Sequence, residues 1–230
     1  MQIVVCSHVI IPIFKKTTHE SVLSIIHAEI ESASSWCAKN NQLLNANKIK
    51  ILNIFFSPYG WKPLETDIYS SLFVDNLKIL GLIFDNKLKW KSHVNQIIKI
   101  TSQRLYALRV LKNIMKRDEL KAIYTAIIRS IIDYGSPVFV TISKDLKASL
   151  NRIQKRAHYI IYGTNHSLNL EDLECRKERI SLKLFNTINN SNEHILKSFM
   201  PFTSMRTGNF IMPICNTNRK SHTFFIHHIM

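Results

Sequence analysis

The chain has 230 residues, 46% of them hydrophobic, and a formal net charge of +15. That length and apolar content exclude a disordered basic tail and allow one or two domains with a real core. The positive excess points to a polyanionic partner, nucleic acid ahead of an anionic membrane surface, and leaves open a basic charge that serves only solubility.

Residues 1–14 are apolar, but Ser7, His8 and Pro12 interrupt the run and no basic segment precedes it. The run lacks the order of a signal peptide and is too short to span a bilayer, so two short strands with a turn are expected. Thr17 and Glu20 have the spacing of a capping box. Val22, Ile25, Ile26, Ile30, Ala33, Trp36 and Cys37 form a stripe at helical spacing, interrupted by Glu29, which predicts a helix over about 18–40 ended by Asn40-Asn41. Residues 48–56 read as a strand, Ser57-Pro58-Tyr59-Gly60 as a turn, and 67–84 as one or two further strands. Within that stretch, residues 77–84, apolar apart from Lys78, are expected as a buried strand, with Gly81 at a bulge or a close backbone approach. Asp85-Asn86 makes the next turn, with Asp85 capping the helix beyond it, and Leu88 and Trp90 anchor that helix's start. For Trp90, core packing outweighs stacking on a base.

From Lys91 the apolar period becomes helical. Val94, Ile97, Ile98, Thr101, Leu105, Leu108 and Leu111 mark a long amphipathic helix. Leu120, Ile123, Tyr124, Ile127, Ile128 and Ile131 mark a second, stopped by Gly135-Ser136-Pro137. A third is expected over about 143–162 with Gly163 as its C-cap, and a fourth over about 170–189. The tail from Pro201 reads as irregular or weak strand.

Cys6, Cys37, Cys175 and Cys215 are far apart and form no Cys-x-x-Cys pair. This argues against a zinc site of paired thiolates and against a disulfide framework, and for a reducing intracellular setting, cytoplasmic or nuclear. His222, His227 and His228 lie near Cys215 without a ligand spacing. There is no Gly-x-Ser-x-Gly elbow around Ser136, no evident base partner for Cys37 or Cys175, and no phosphate-cradling Gly-rich loop. Basic residues gather instead on the helices: Arg104, Arg109 and Lys112 on the first long one, and Arg152, Lys155 and Arg156, beside His158, on the third. Acidic residues are sparse there, which favours phosphate binding over a merely solvated face.

Leu80-Gly81-Leu82-Ile83-Phe84-Asp85-Asn86-Lys87-Leu88-Lys89-Trp90-Lys91-Ser92-His93 resembles the Leu-Gly-x-x-x-Asp-x-x-Leu-x-Trp-x-x-His box of non-LTR retrotransposon reverse transcriptases, jockey-like or related. Leu44-Asn45-Ala46-Asn47-Lys48 is similar to the family's Leu-Asn-x-x-Lys box, with Ile49 where Thr or Ser is usual. Tyr134-Gly135-Ser136-Pro137-Val138-Phe139 resembles its Tyr-Gly-x-x-Val-Trp box, with Phe139 replacing Trp. Leu150 to Ala157 is similar to Leu-x-x-Val-Gln-Asn-Arg-Ala, with Lys155 in place of Asn. Arg206-Thr207-Gly208-Asn209-Phe210 and Thr217-Asn218-Arg219-Lys220-Ser221 are similar to its C-terminal Thr-Arg and Asn-Arg segments. Each box is loose alone, and the ordered set covers most of the chain.

The resemblance implies an α+β fold: a partial antiparallel palm sheet with one helix, then a mainly α-helical thumb-like domain and an irregular tail. It divides the chain into a palm remnant at 1–66, a primer-grip-like hairpin at 67–90, a thumb-like domain at 91–165, and a C-terminal helix and tail at 166–230. It assigns Leu80, Gly81, Asp85 and Trp90 to the primer grip. It brings Lys48 near an incoming nucleotide, against the equal alternative of a solvated lysine at a turn. Polymerase chemistry in the family needs clustered carboxylates holding two Mg²⁺ ions. The sequence has no Asp-Asp pair and no Asp before Asp67. The family's aromatic-Ala-Asp-Asp box would fall just before Gln2–Val5. The expectation is a truncated RNA-directed DNA polymerase fragment with no catalytic residue, no metal or small-molecule cofactor and no membrane partner. Such a fragment, inactive alone, keeps contacts to an RNA/DNA template-primer hybrid. The alternatives are a stand-alone basic nucleic-acid-binding helical protein and an interaction domain whose charge serves solubility.

Overall fold

A computed structural model describes residues 19–54, 69–139, 142–163, 170–191 and 193–199. These residues are mostly helical, with one two-stranded antiparallel sheet, an α+β arrangement. The chain divides into two units between Leu77 and Lys78. The expected strands at 1–14, the capping residue Thr17, the turn at 57–60 and the tail from Pro201 lie outside the described residues.

In the first unit, helix α1 spans His19–Lys39. Val22 and Cys37 are its buried ends, and Ile26, Ile30 and Ala33 lie half-buried on the line between them. Trp36, expected on this stripe, is exposed, because its neighbour Cys37 takes the inward position. Asn40 caps the end by donating its side-chain amide to the Trp36 carbonyl at 2.8 Å, and Asn41 turns left-handed at φ 53°. The strand expected from Lys48 does not form over the described residues. The Asn45 side chain accepts from the Asn47 amide and starts a 3₁₀ turn over Ala46–Lys48, a local bond that competes with strand pairing. Past this turn the chain makes one parallel bridge, Ile51 with Phe73, in which Ile51 donates to Leu72 and accepts from Val74.

A hairpin then joins β1, Asn76–Ile79, to β2, Leu82–Asp85. The predicted single strand over 77–84 is thus broken in two. Leu80 and Gly81 form the turn with φ of 47° and 86°, the double positive φ that two-residue hairpin turns favour. Gly81 marks no bulge. Its close approach is to a side chain: a Cβ there would stand 3.3 Å from Tyr134 Cε1.

After β2, the Asp85 carboxylate accepts from three backbone amides: Lys87 at 3.0 Å, Lys89 at 2.9 Å and Trp90 at 2.7 Å. This holds Leu88 and Trp90 left-handed, at φ 48° and 63°, although neither is glycine. Trp90 is thereby buried against Phe84, His93 and Phe139, as core packing required. Helix α2, Lys91–Leu111, starts here and buries His93, Val94, Ile97, Thr101, Leu105 and Leu108 along one face. The Thr101 hydroxyl donates to the Ile97 carbonyl at 2.7 Å, which satisfies the one hydroxyl on that face.

The next helical run begins as α3, Arg117–Ile123, widens into a π-helix over Tyr124–Arg129, and closes as α4, Ser130–Asp133. Leu120, Tyr124, Ile128 and Ile132 are buried at a strict spacing of four. On an α-helix that spacing drifts by about 40° per step. The wider π turn takes back the drift and keeps all four side chains on the core. Helix α5, Lys144–Tyr162, is capped by the Ser143 hydroxyl and ended by Gly163 at φ 78°. It packs chiefly on α2, burying Leu150, Ile153, Ala157, Ile160 and Ile161 in the shared core. Helix α6, Leu173–Asn190, starts at Asp172, whose carboxylate accepts from the Glu174 amide.

Ion pairs fasten α6 to this core. Arg129, itself buried, and the more exposed Arg176 and Arg179 donate to Glu171 at 2.6, 3.2 and 2.8 Å, and Arg176 also pairs with Asp133. Partial desolvation pushes the Glu171 carboxyl up, but the hydrogen bonds from the three arginines outweigh it and hold it below the ordinary range. Lys177 donates to the Phe139 carbonyl at 2.7 Å and lies over its ring. Burial pushes Lys177 down to about 8, with Lys147 adding to the fall and Glu174 opposing it.

Asp85→Ala leaves three amides without their acceptor and is expected to destabilise the chain by about 2 kcal/mol in urea unfolding, with Asp85→Asn intermediate. The depressed Lys177 value sets a pH trend. The folded chain sheds that proton near pH 8, the unfolded chain near 10.5. Stability therefore rises with pH between these values. Thermal melts across that window should show the rise in the wild type and its loss in Lys177→Met.

Candidate nucleic-acid interface

The outer face of α5 is built by helical spacing. Arg152, Lys155, Arg156 and Tyr159 stand at i, i+3, i+4 and i+7, so they share one side, and all four are exposed. The opposite side of the same helix is the buried line of Leu150, Ile153, Ala157 and Ile160. Core burial therefore turns the cations outward. Tyr159 keeps 58% of its surface accessible, an unusual exposure for a tyrosine amid cations. The Lys112 ammonium, just past the end of α2, lies 6.0 Å from the centre of its ring. This contact joins the end of α2 to the α5 stripe. Arg109, one helical turn before Lys112, is exposed on α2.

The electrostatics favour an anion. Helix α2 has no acidic residue, and Asp145 is the one acid of α5. Arg109, Lys112, Arg152, Lys155 and Arg156 form no ion pair among the described residues, while Arg152 is steadied by the Ser149 hydroxyl at 2.9 Å. Such a surface can neutralise phosphates and offers an aromatic face for a base or sugar.

The other sequence-predicted residues lie elsewhere. Arg104 is turned inward and donates to the Ile127 carbonyl within the π-helix. His158 is buried and packs on the Tyr162 ring. Lys48 is exposed at the end of its 3₁₀ turn in the first unit. Leu80 and Gly81 form the exposed hairpin tip, with Leu80 84% accessible and its carbonyl accepting from the Tyr134 hydroxyl at 2.6 Å. Asp85 and Trp90 support the loop and the core rather than offering a surface. Sequence reasoning passed over Tyr159, although its place three residues after Arg156 carries the signal. It also passed over the Glu171 cluster, which depends on residues 42 and 8 positions apart in sequence.

Among the described residues, no three His, Cys, Asp or Glu side chains gather where they could hold a metal ion. Neither Cys37, which is buried, nor Cys175, which is exposed, is part of a disulfide. No described helix is long and apolar enough to cross a membrane.

The inward bond of Arg104 separates its effect from that of the stripe. Arg104→Ala is expected to lower stability by about 1–2 kcal/mol in urea unfolding and to leave the salt dependence of nucleic-acid binding unchanged. No protein family, curated protein or solved structure matches the chain.

Proposed function

We propose that this chain binds an RNA/DNA template-primer hybrid as part of a non-LTR retrotransposon reverse transcriptase, gripping the hybrid without performing the chemistry. The observation that carries the reading is the α5 stripe of Arg152, Lys155 and Arg156 running to Tyr159 and Lys112. Its cations have no acidic partners among the described residues, so phosphates are their natural counter-charges. The ordered sequence boxes support the family reading, and the basic helical region fits the thumb-like grip that the resemblance implies. The missing Asp-Asp pair assigns polymerisation to carboxylates that this sequence does not contain.

A second reading, a stand-alone basic nucleic-acid-binding protein, is favoured by the second unit having its own core from Leu82 to Leu170. The two readings part on substrate shape. A primer grip prefers hybrid over double-stranded DNA, and a general phosphate binder takes both equally.

Fluorescence anisotropy of the full chain with a labelled RNA/DNA hybrid, titrated with salt, tests the proposal. Replacing Arg152, Lys155 and Arg156 together by alanine should lower the log–log salt slope by roughly two to three, about one per lost phosphate contact. An unchanged slope counts against the stripe, and equal affinity for double-stranded DNA favours the second reading.

A further inference from the structure

Two exposed tyrosines stand among the outward-facing cations. Tyr159, in the last turn of α5, follows Arg156 by three residues and has the Lys112 ammonium 6.0 Å from its ring centre. Tyr106, on α2, precedes Arg109 by three residues and keeps 70% of its surface accessible. It lies on the side of α2 opposite the buried line of Ile97, Thr101, Leu105 and Leu108.

Helical geometry connects the two rings. Tyr106, Arg109 and Lys112 follow one another at steps of three, and each such step falls about 60° short of a full turn. The series therefore walks from the outer side of α2 round toward α5, the helix on which α2 packs. It ends where Lys112 meets Tyr159. The advance from Tyr106 to Lys112 is roughly 9 Å along the axis. Tyrosine, arginine, lysine and tyrosine thus follow one another over one surface, with Arg156 one turn from the second ring. No acid interrupts it: α2 has none, and Asp145 lies in the first turn of α5, at the far end from Tyr159.

Phosphate binding accounts for the cations but not for the rings. In a duplex the bases stack on one another, and the flank presents sugars, phosphates and groove edges. An unpaired base has a free face that an aromatic side chain can cover. We propose that this surface holds unpaired nucleotides extending from the hybrid. Their bases stack on Tyr106 and Tyr159, and Arg109, Lys112 and Arg156 neutralise their phosphates. The site rests on the hybrid-binding reading above and names the part of the substrate that the rings take. Stacking accepts any base, so the surface tolerates any sequence in the extension.

Fluorescence anisotropy of the full chain with two labelled RNA/DNA hybrids tests this. One carries an unpaired RNA extension of about six nucleotides, and the other an abasic extension of the same length. The two have equal charge, so a difference in affinity belongs to the bases. The base-bearing extension should bind about fivefold more tightly or better. Tyr106→Leu combined with Tyr159→Leu should bring that ratio to about one, while Tyr106→Phe with Tyr159→Phe should keep it, because the ring stacks without its hydroxyl. Both positions are exposed, and leucine is a good helix former, so the variants retain the fold. Equal affinity for the two extensions, or a ratio that survives the leucine pair, overturns the stacking site. If the salt slope still responds to the α5 cations, that result leaves the hybrid-binding reading standing. Failure of the unaltered chain to bind either hybrid overturns both.

Discussion

Asp85 is the point on which the second unit turns. Its carboxylate gathers the amides of Lys87, Lys89 and Trp90, and that gathering makes a left-handed Leu88 and Trp90 tolerable. Left-handed backbone at a non-glycine residue costs about 1–2 kcal/mol, so two such residues within three positions need a local cause. The consequence is spatial. With its backbone reversed, Trp90 drops between Phe84 and Phe139, and α2 leaves the loop already docked on the hairpin. His93, one turn into α2, then reaches back to the Ile83 amide and closes the same joint from the other side. Hairpin, loop and helix are one mechanical piece.

A second constraint comes from buried charge. Arg129 is taken out of water inside the π-helix and would be costly there alone. Glu171 meets it at 2.6 Å, and Arg176 links Glu171 to Asp133. The cluster specifies where α6 begins more than it adds stability, since the cost of taking buried charges out of water offsets much of their attraction. The π-helix has a related role. Its widened turn keeps Leu120, Tyr124, Ile128 and Ile132 in line, and its Ile127 carbonyl takes the Arg104 guanidinium. One irregularity thus settles both a core register and the fate of a surface cation.

The long helices were legible because each carries a sustained apolar period and a recognisable end. The run marked by Val94 to Leu111 became α2, Ser143 and Gly163 bounded α5, and Asn40-Asn41 ended α1. The β-region was legible only in part. The run at 77–84 has strand composition throughout, and no periodicity reveals that Leu80 will accept a left-handed conformation beside Gly81. The segment after Lys48 looks β-branched, but an Asn45 side-chain bond and a single partner residue leave it as one bridge. Arg104 and Arg109 were indistinguishable as sequence, since both sit on an amphipathic helix among polar residues. They part because Arg104 faces the π-helix carbonyl and Arg109 faces water, a difference set by tertiary packing alone.

The division of labour among the cations bears most directly on function. A protein that needs positive charge only for solubility has no reason to sort it. Here Glu171 collects Arg129, Arg176 and Arg179, Glu174 takes Lys147, and Asp133 shares Arg176. These acids lie along α6 and the ends of its neighbours, where they fasten helices. The α5 stripe and the end of α2 lack such acids, and the one contact that organises them is a lysine over an exposed tyrosine. Leaving like charges side by side on one helix face is unfavourable in isolation. That expense becomes reasonable when a polyanion completes the surface, releasing its own counterions as it binds. The sorting of charge, rather than its total, is what supports the proposed binding face over a merely basic protein.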